Sequence, residues 1–247
     1  MTVNPEAPQS IAVLAHPNIP RALEVAGEVG LTIQALGGNA DVGSLFDEDL
    51  RKSVKAGEHD LVIALGGDGT MLRAGHLCAP VDIPLLGINI GTFGFLVELK
   101  SDQWRDYFPR LLSGDFRYEA RMMLRACCVC CGEKQDPFDV INDVVVARGR
   151  YVRPINVEAL LNGEHIASYV ADGLIAATPT GSTAYSLAAG GPILPPEIRN
   201  ILLMPVAPHL SVDRAVVLSE GSSVTMRVLS AHEAVVSVDG QPPVHLS

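Results

Sequence analysis

A lone carboxylate, Asp68, stands among three glycines in the stretch Gly66-Gly67-Asp68-Gly69-Thr70, directly after the aliphatic run Leu61 to Leu65. Glycines where a strand turns into a helix let a phosphate reach the backbone N–H groups, with the positive end of the helix behind them. A tight strand-to-helix turn accounts for the glycines but not for Asp68. An acid beside a phosphate repels it unless it holds a cation or takes a proton from an attacking hydroxyl. The stretch lacks the Gly-Lys-Ser/Thr ending of a Walker A loop and the spacing of the Gly-x-Gly-x-x-Gly dinucleotide fingerprint.

Other residues invite chemistry less directly. Asn142 and Asp143 are neighbours within a strand predicted over Phe138 to Val146. Successive strand residues face opposite ways, so one of the two meets the core or a cleft; a β-bulge or strand-end pair is the alternative. Thr178 to Ser186 is rich in hydroxyls and holds one aromatic, Tyr185. Such a turn either caps a helix starting near Ala184 or lines a polar site, and the two are compatible. The seven histidines form no metal-ligand pattern; His209, beside Pro205-Val206-Ala207-Pro208, is the one placed near a site. Of five cysteines, four lie in Cys127-Cys128-Val129-Cys130-Cys131 and only Cys78 stands elsewhere, so a second zinc-ligand pair is missing. The cluster reads as small buried hydrophobes on an extended strand in a reducing compartment.

The elements that must position these residues follow two periods. In the first half, Ile11 to Ala15, Leu61 to Leu65 and Leu85 to Ile88 are apolar runs of strand length. Between and after them come helical patterns: one from Pro20 carrying Leu23, Ala26 and Val29, one over Met71 to Cys78, and one with Trp104, Phe108, Leu111 and Leu112 ending at Gly114. This alternation predicts an α/β domain with a parallel sheet. In the second half Val157 to Leu161, Ile166 to Val170, Leu174 to Ala177, Val216 to Leu218, Val224 to Leu229 and Ala234 to Val238 are all strand-length, and Asn162-Gly163 is a hairpin turn. The boundary falls near Gly114 to Tyr118, separating an α/β domain over residues 1–117 from a β-rich domain over 118–247.

With 48% hydrophobic residues, the 247-residue chain is long enough for two cores. It has no stretch near the roughly 20 apolar residues of a membrane span, and no signal peptide at Met1 to Ser10, so a cytoplasmic protein is expected. A formal net charge of −10 without clustered Lys and Arg argues against nucleic acid. It leaves small anions open, since backbone N–H groups and a metal ion hold those.

Taken together these segments resemble the NAD kinase family. Gly66 to Thr70 matches a signature shared with lipid kinases and, more loosely, phosphofructokinases; Gly87-Ile88-Asn89 with Gly91 to Leu96, Asn142-Asp143, and Asp172-Gly173 with Thr178 to Ser186 and Gly190-Gly191-Pro192 match NAD kinases. The resemblance implies the NAD kinase fold: a Rossmann-like α/β domain akin to phosphofructokinases and diacylglycerol kinases, then a mostly β domain. It implies Mg²⁺-dependent transfer of the terminal phosphate of ATP, or polyphosphate, to the 2′-hydroxyl of the adenosine ribose of NAD. Mg²⁺ or another divalent cation would come with the ATP, without a fixed protein site.

By resemblance Asp68 is the catalytic proton acceptor, and Gly66, Gly67, Gly69 and Thr70 form the phosphate loop. Such a weak base must act late, as the new bond acidifies the hydroxyl. Gly69, Arg73, Asn142, Asp143, Arg153, Asp172, Thr183, Ala184, Tyr185, Ser186, Ala188, Ala207 and Gln241 are the implied NAD contacts, with Asn142 and Asp143 on the ribose diol. Homo-dimers or tetramers whose β domains contribute to neighbouring sites are implied as well. Family members usually carry a further segment beyond the position of Ser247, which leaves a non-catalytic NAD or NADP sensor as a second reading. A lipid kinase is the third, and offers no reason for Thr178 to Tyr185.

Overall fold

In the computed structural model, residues 6–91, 94–130, 133–134, 136–209, 214–230 and 233–246 are described; Thr92, Phe93, Cys131, Met1 to Pro5 and Ser247 lie outside them. The chain divides into two compact units, Met1–Glu119 and Ala120–Ser247.

The first unit runs β1 (Ser10–Ala15), α1 (Pro20–Ala35), β2 (Asn39–Ser44), α2 (Glu48–Lys55), β3 (Leu61–Gly66), α3 (Asp68–Cys78), β4 (Leu85–Asn89), β5 (Leu99–Lys100) and α4 (Trp104–Leu111). Its strands form one parallel sheet in the order β2-β1-β3-β4-β5. All six residues of β3 are buried, as a central parallel strand covered on both faces requires. The parallel register sets Gly66 beside Asn89, so the loops leaving β3 and β4 emerge together at the carboxyl edge of the sheet.

Three details depart from the sequence reading. Leu23 is 44% exposed; the buried stripe of α1 is Ala22, Val25, Ala26, Val29 and Ile33. Strand β2 and helix α2 were not foreseen. The β2 sequence Asn-Ala-Asp-Val-Gly-Ser is polar because it lies at the sheet edge, and α2 is short, capped by Asp47 accepting from the N–H of Asp49 at 3.1 Å and Leu50 at 3.0 Å.

The second unit is antiparallel. It comprises β6 (Leu124–Ala126), β7 (Val129–Cys130), β8 (Glu133–Lys134), β9 (Phe138–Val140), β10 (Asp143–Arg148), β11 (Ile155–Leu161), β12 (Glu164–Ala171), β13 (Gly173–Ala177), α5 (Tyr185–Ala188), β14 (Asn200–Val206), β15 (Val216–Ser219), β16 (Val224–Val228), β17 (Ala234–Val238) and β18 (Val244–Leu246). A six-stranded sheet, β15-β14-β13-β10-β17-β18, packs on a three-stranded one, β12-β11-β16, through Val146, Leu174 and Leu203 against Val157, Tyr169 and Ala171. Asn162 (φ 52°) and Gly163 (φ 90°) make the hairpin turn from β11 to β12.

The strand predicted over Phe138 to Val146 is broken. It ends at Val140 and resumes as β10 at Asp143, with Ile141 and Asn142 in a bend between. Strand β14 was also unforeseen: Pro205 inside the run reads as a strand breaker, yet pairs opposite Leu174. Cys127 is exposed and Cys128 half-buried, which corrects the reading of the cluster as uniformly buried.

Candidate active site

Helix α3 begins at Asp68 itself, with Gly67 as its N-cap, and not at Met71 as the apolar pattern predicted. Asp68 and Gly69 therefore open the first helical turn with N–H groups that point out of the helix end, whereas the Thr70 N–H donates to the Gly67 carbonyl at 2.9 Å. A Cβ on Gly66 would collide with the Thr70 side chain, so packing demands that glycine. On Gly67 or Gly69 a Cβ would meet nothing within 4 Å, and neither has a positive φ. Among the described residues internal packing gives no reason for these two glycines, and the space over them is open to a ligand.

The Asp68 carboxylate is held by the loop after β4. One oxygen accepts from the N–H of Leu96 at 2.9 Å, the other from that of Phe95 at 3.0 Å, and Gly94 leaves no room for a side chain against the same group. Each oxygen retains a lone pair for a substrate hydroxyl. Thr70 is buried and Arg73 exposed, its guanidinium over the Phe46 ring at 5.4 Å. Cys78, at the other end of α3, is no nucleophile, because burial pushes its thiol up to about 12.

In the second unit the bend at Ile141 and Asn142 meets the hydroxyl-rich turn. Thr178 donates its hydroxyl to the Ile141 carbonyl at 2.6 Å and its N–H to that of Asn142 at 2.8 Å, and the Thr178 hydroxyl accepts from Gly181 N–H at 2.9 Å. A Cβ on Gly181 would overlap the Asn142 carbonyl. The hydroxyls of Ser182 and Thr183 donate back to Pro179 and Thr180 carbonyls at 2.7 and 3.0 Å, so they tie the turn to itself and do not cap α5.

The Asp143 carboxylate faces the backbone N–H of Tyr185, the first residue of α5. It is only 4% exposed, and burial together with the neighbouring charge of Asp239 raises it from the ordinary 3.8 to about 6, against the Tyr185 hydrogen bond. The Tyr185 side chain is 47% exposed, and Ser186 is fully buried. Asn142 Oδ1 and Ser186 Oγ are buried without a hydrogen-bond partner among the described residues, leaving spare acceptor capacity at this turn.

The remaining expected contacts fall elsewhere. Asp143 pairs with Ala177 at one end of β13 and Ala147 with Gly173 at the other, a separation of about 13 Å at roughly 3.3 Å per residue. Asn142, Asp143 and Thr183 to Ser186 gather at the Ala177 end, and Gln241 follows the Asp239 turn there, its N–H on the Val238 carbonyl at 2.9 Å. Asp172 lies at the Gly173 end, 3.1 Å from Arg148 Nε, with Arg153 and Ala207 on the loops leaving that end. Ala207 is exposed with φ 46°, a left-handed conformation unusual for alanine. His209 is exposed and its N–H bonds the Val170 carbonyl at 2.7 Å, and Ala188 is exposed on α5.

Two family models match the chain: the ATP-NAD kinase N-terminal domain over residues 12–116 and the ATP-NAD kinase C-terminal domain over 141–247. The chain belongs to the NAD kinase family. An NAD kinase of Citrifermentans bemidjiense is 38% identical over 94% of this chain and 85% of its own length. One of Heliobacterium modesticaldum is 47% identical over 74% of this chain, a match spanning 65% of that protein. The crystal structure of yeast NADH kinase complexed with NADH has a TM-score of 0.82 at 25% identity, covering 96% of this chain and 76% of its own. An Archaeoglobus fulgidus NAD kinase in complex with ATP shares the fold, with a TM-score of 0.76 at 23% identity over 95% of this chain and 86% of its own.

Within this NAD kinase architecture, sequence reasoning passed over the N–H groups of Phe95 and Leu96, the Thr178 side chain and Asp239. Main-chain donors leave no mark in residue types. Asp239 was visible as half of an Asp-Gly turn pair, which is a signal for a turn and not for a site.

Proposed function

We propose that this protein transfers the terminal phosphate of ATP to the 2′-hydroxyl of the adenosine ribose of NAD, forming NADP. It is a phosphotransferase, and the observation that carries the reading is Asp68: a carboxylate on the first turn of α3, aimed by two N–H groups, between glycines that packing does not require. The ribose oxygen forms a bond to the γ-phosphorus while the bond from phosphorus to the bridging oxygen of ADP breaks. The hydroxyl proton passes to Asp68 as the new bond forms.

The outward N–H groups of Asp68 and Gly69 receive the phosphates while buried Thr70 closes the turn behind them, and Mg²⁺ enters as part of the nucleotide, neutralising charge on the phosphate oxygens. Both Asp68 oxygens already accept an N–H, so the loop suits a metal carried by its substrate better than a closed protein cage. Asn142 and Asp143 bind the ribose hydroxyls, and Tyr185 offers an exposed ring for a base.

Arg153, Asp172 and Ala207 sit a strand length from that group, which supports a homo-dimer or tetramer in which they serve a neighbouring protomer's site. Ile166 and Val170, exposed on edge strand β12, supply apolar surface for such an assembly. A cytoplasmic location agrees with the free cysteines, and among the described residues no helix is long and apolar enough to cross a membrane.

The test is NADP formation from NAD, ATP and Mg²⁺ by the purified protein beside Asp68→Asn. The substitution lowers turnover by about 10²–10⁴-fold with NAD binding retained. An unaltered protein that binds NAD but makes no NADP would be a sensor and would sink the kinase reading.

A further inference from the structure

Every backbone polar group of the dipeptide Ile141–Asn142 is taken by a distant segment. The Asp239 carboxylate accepts both N–H groups, from Ile141 at 2.8 Å and Asn142 at 2.7 Å, and a third from Asp143 at 3.0 Å. Thr178 takes both carbonyls, with its hydroxyl and its own N–H. Asp239 is itself fixed: it occupies a tight turn with φ 50°, followed by Gly240 at φ 67°, and its N–H donates to the Asp143 carbonyl at 2.9 Å.

This arrangement does more than close a sheet. Pairing alone would favour an unbroken strand from Phe138 to Val146. Instead the ladder is interrupted at the dipeptide, and the break leaves Asn142 Oδ1 buried without a partner among the described residues. A buried carboxylate and a buried threonine are spent on holding a bend whose side chain has an unused acceptor.

Resting on the assignment of Asn142 and Asp143 to the ribose, we propose that Asp239 and Thr178 are positioning residues. From opposite sides they clamp Ile141–Asn142 and so aim the Asn142 amide and the Asp143 carboxylate at the sugar hydroxyls. The groups set against Asp143 are few: Asp239 from the turn after β17 and the Tyr185 N–H from α5, with apolar Ala177 opposite on β13. Asp239 therefore also sets the charge that the Asp143 carboxylate feels.

Asp239→Asn is the direct test, since asparagine tolerates the left-handed turn but turns an N–H₂ toward donors that need an acceptor. The expected result is a ten- to hundredfold fall in kcat/KM for NAD, with KM for ATP unmoved. The acid limb of kcat/KM for NAD shifts to lower pH, because the negative charge that favours the Asp143 proton is gone. Thr178→Val raises KM for NAD without moving that limb, and Thr178→Ser restores it. Loss of thermal stability alone, with NAD kinetics and acid limb unchanged, overturns the proposal. Should Asp239→Asn fail to fold, the Val–Ser pair at Thr178 decides, equal KM values counting against the clamp. Normal turnover that is indifferent to all three substitutions removes the clamp and leaves the kinase reading standing. An unaltered protein that neither binds NAD nor makes NADP removes both.

Discussion

The phosphate loop of the first unit and the bend at Ile141–Asn142 in the second both depend on glycine, for opposite reasons. Residues 66–70 are consecutive, and Gly67 and Gly69 have open space where a side chain would be. The bend is assembled from residues 141–143, 178–181 and 239, and Gly181 is glycine because the Asn142 carbonyl occupies that space from within. Among the described residues one glycine pair faces open space, and the space at the other glycine is filled by the chain itself. Sequence motifs alone do not separate the two cases.

Substitutions should. The largest effect is that of Asp68→Asn on turnover. Next comes Gly181→Ala, which must push the Asn142 carbonyl aside; it costs about 1–3 kcal/mol, read as a lower urea midpoint, and raises KM for NAD. A midpoint equal to that of the unaltered protein would show that the bend yields freely, and the contrast between the regions would collapse.

Asp143→Asn sharpens the comparison, because here function and stability oppose each other. The folded carboxyl holds its proton to about pH 6, against an ordinary 3.8, so the native state binds the proton more tightly than the unfolded one. Stability accordingly falls as pH rises through that window and stays lower above it. Removing the charge should raise stability at pH 7.5 by about 1–3 kcal/mol and flatten that slope in chemical unfolding, while activity with NAD falls about tenfold. A steeper slope in the variant would contradict the assignment.

The smallest effect belongs to Gly69→Ala. In open space on a first helical turn, the added methyl leaves stability unchanged or raises it by about 0.4–1 kcal/mol. On the proposed function it raises KM for MgATP, because the methyl enters the open space assigned there to the phosphates. A loss of stability comparable to Gly181→Ala would erase the distinction drawn between the two glycine sets.

Legibility followed the same divide. Strand β3 and the loop after it were readable because a doubly covered parallel strand is continuously aliphatic and the loop is contiguous with it. Edge strand β2 escaped because one exposed side removes that constraint, and β14 because Pro205 looks like a breaker even where the fold accommodates it. At the site, Asn142 and Asp143 were legible as a pair, but their strand was expected to be unbroken. The interruption depends on Asp239, almost a hundred residues away, receiving three N–H groups.

The sequence by itself determined the family, the change from α/β to β periodicity and the single carboxylate among the glycines after β3. These reside in consecutive residues, whose spacing fixes local geometry through the backbone alone. Only the tertiary structure decided that Phe95 and Leu96 orient Asp68, that Asp239 and Thr178 hold the bend, and that Asp172 stands a strand length from Asp143. Those relations rest on strand register and hydrogen bonds between segments, which no local pattern of residue types encodes.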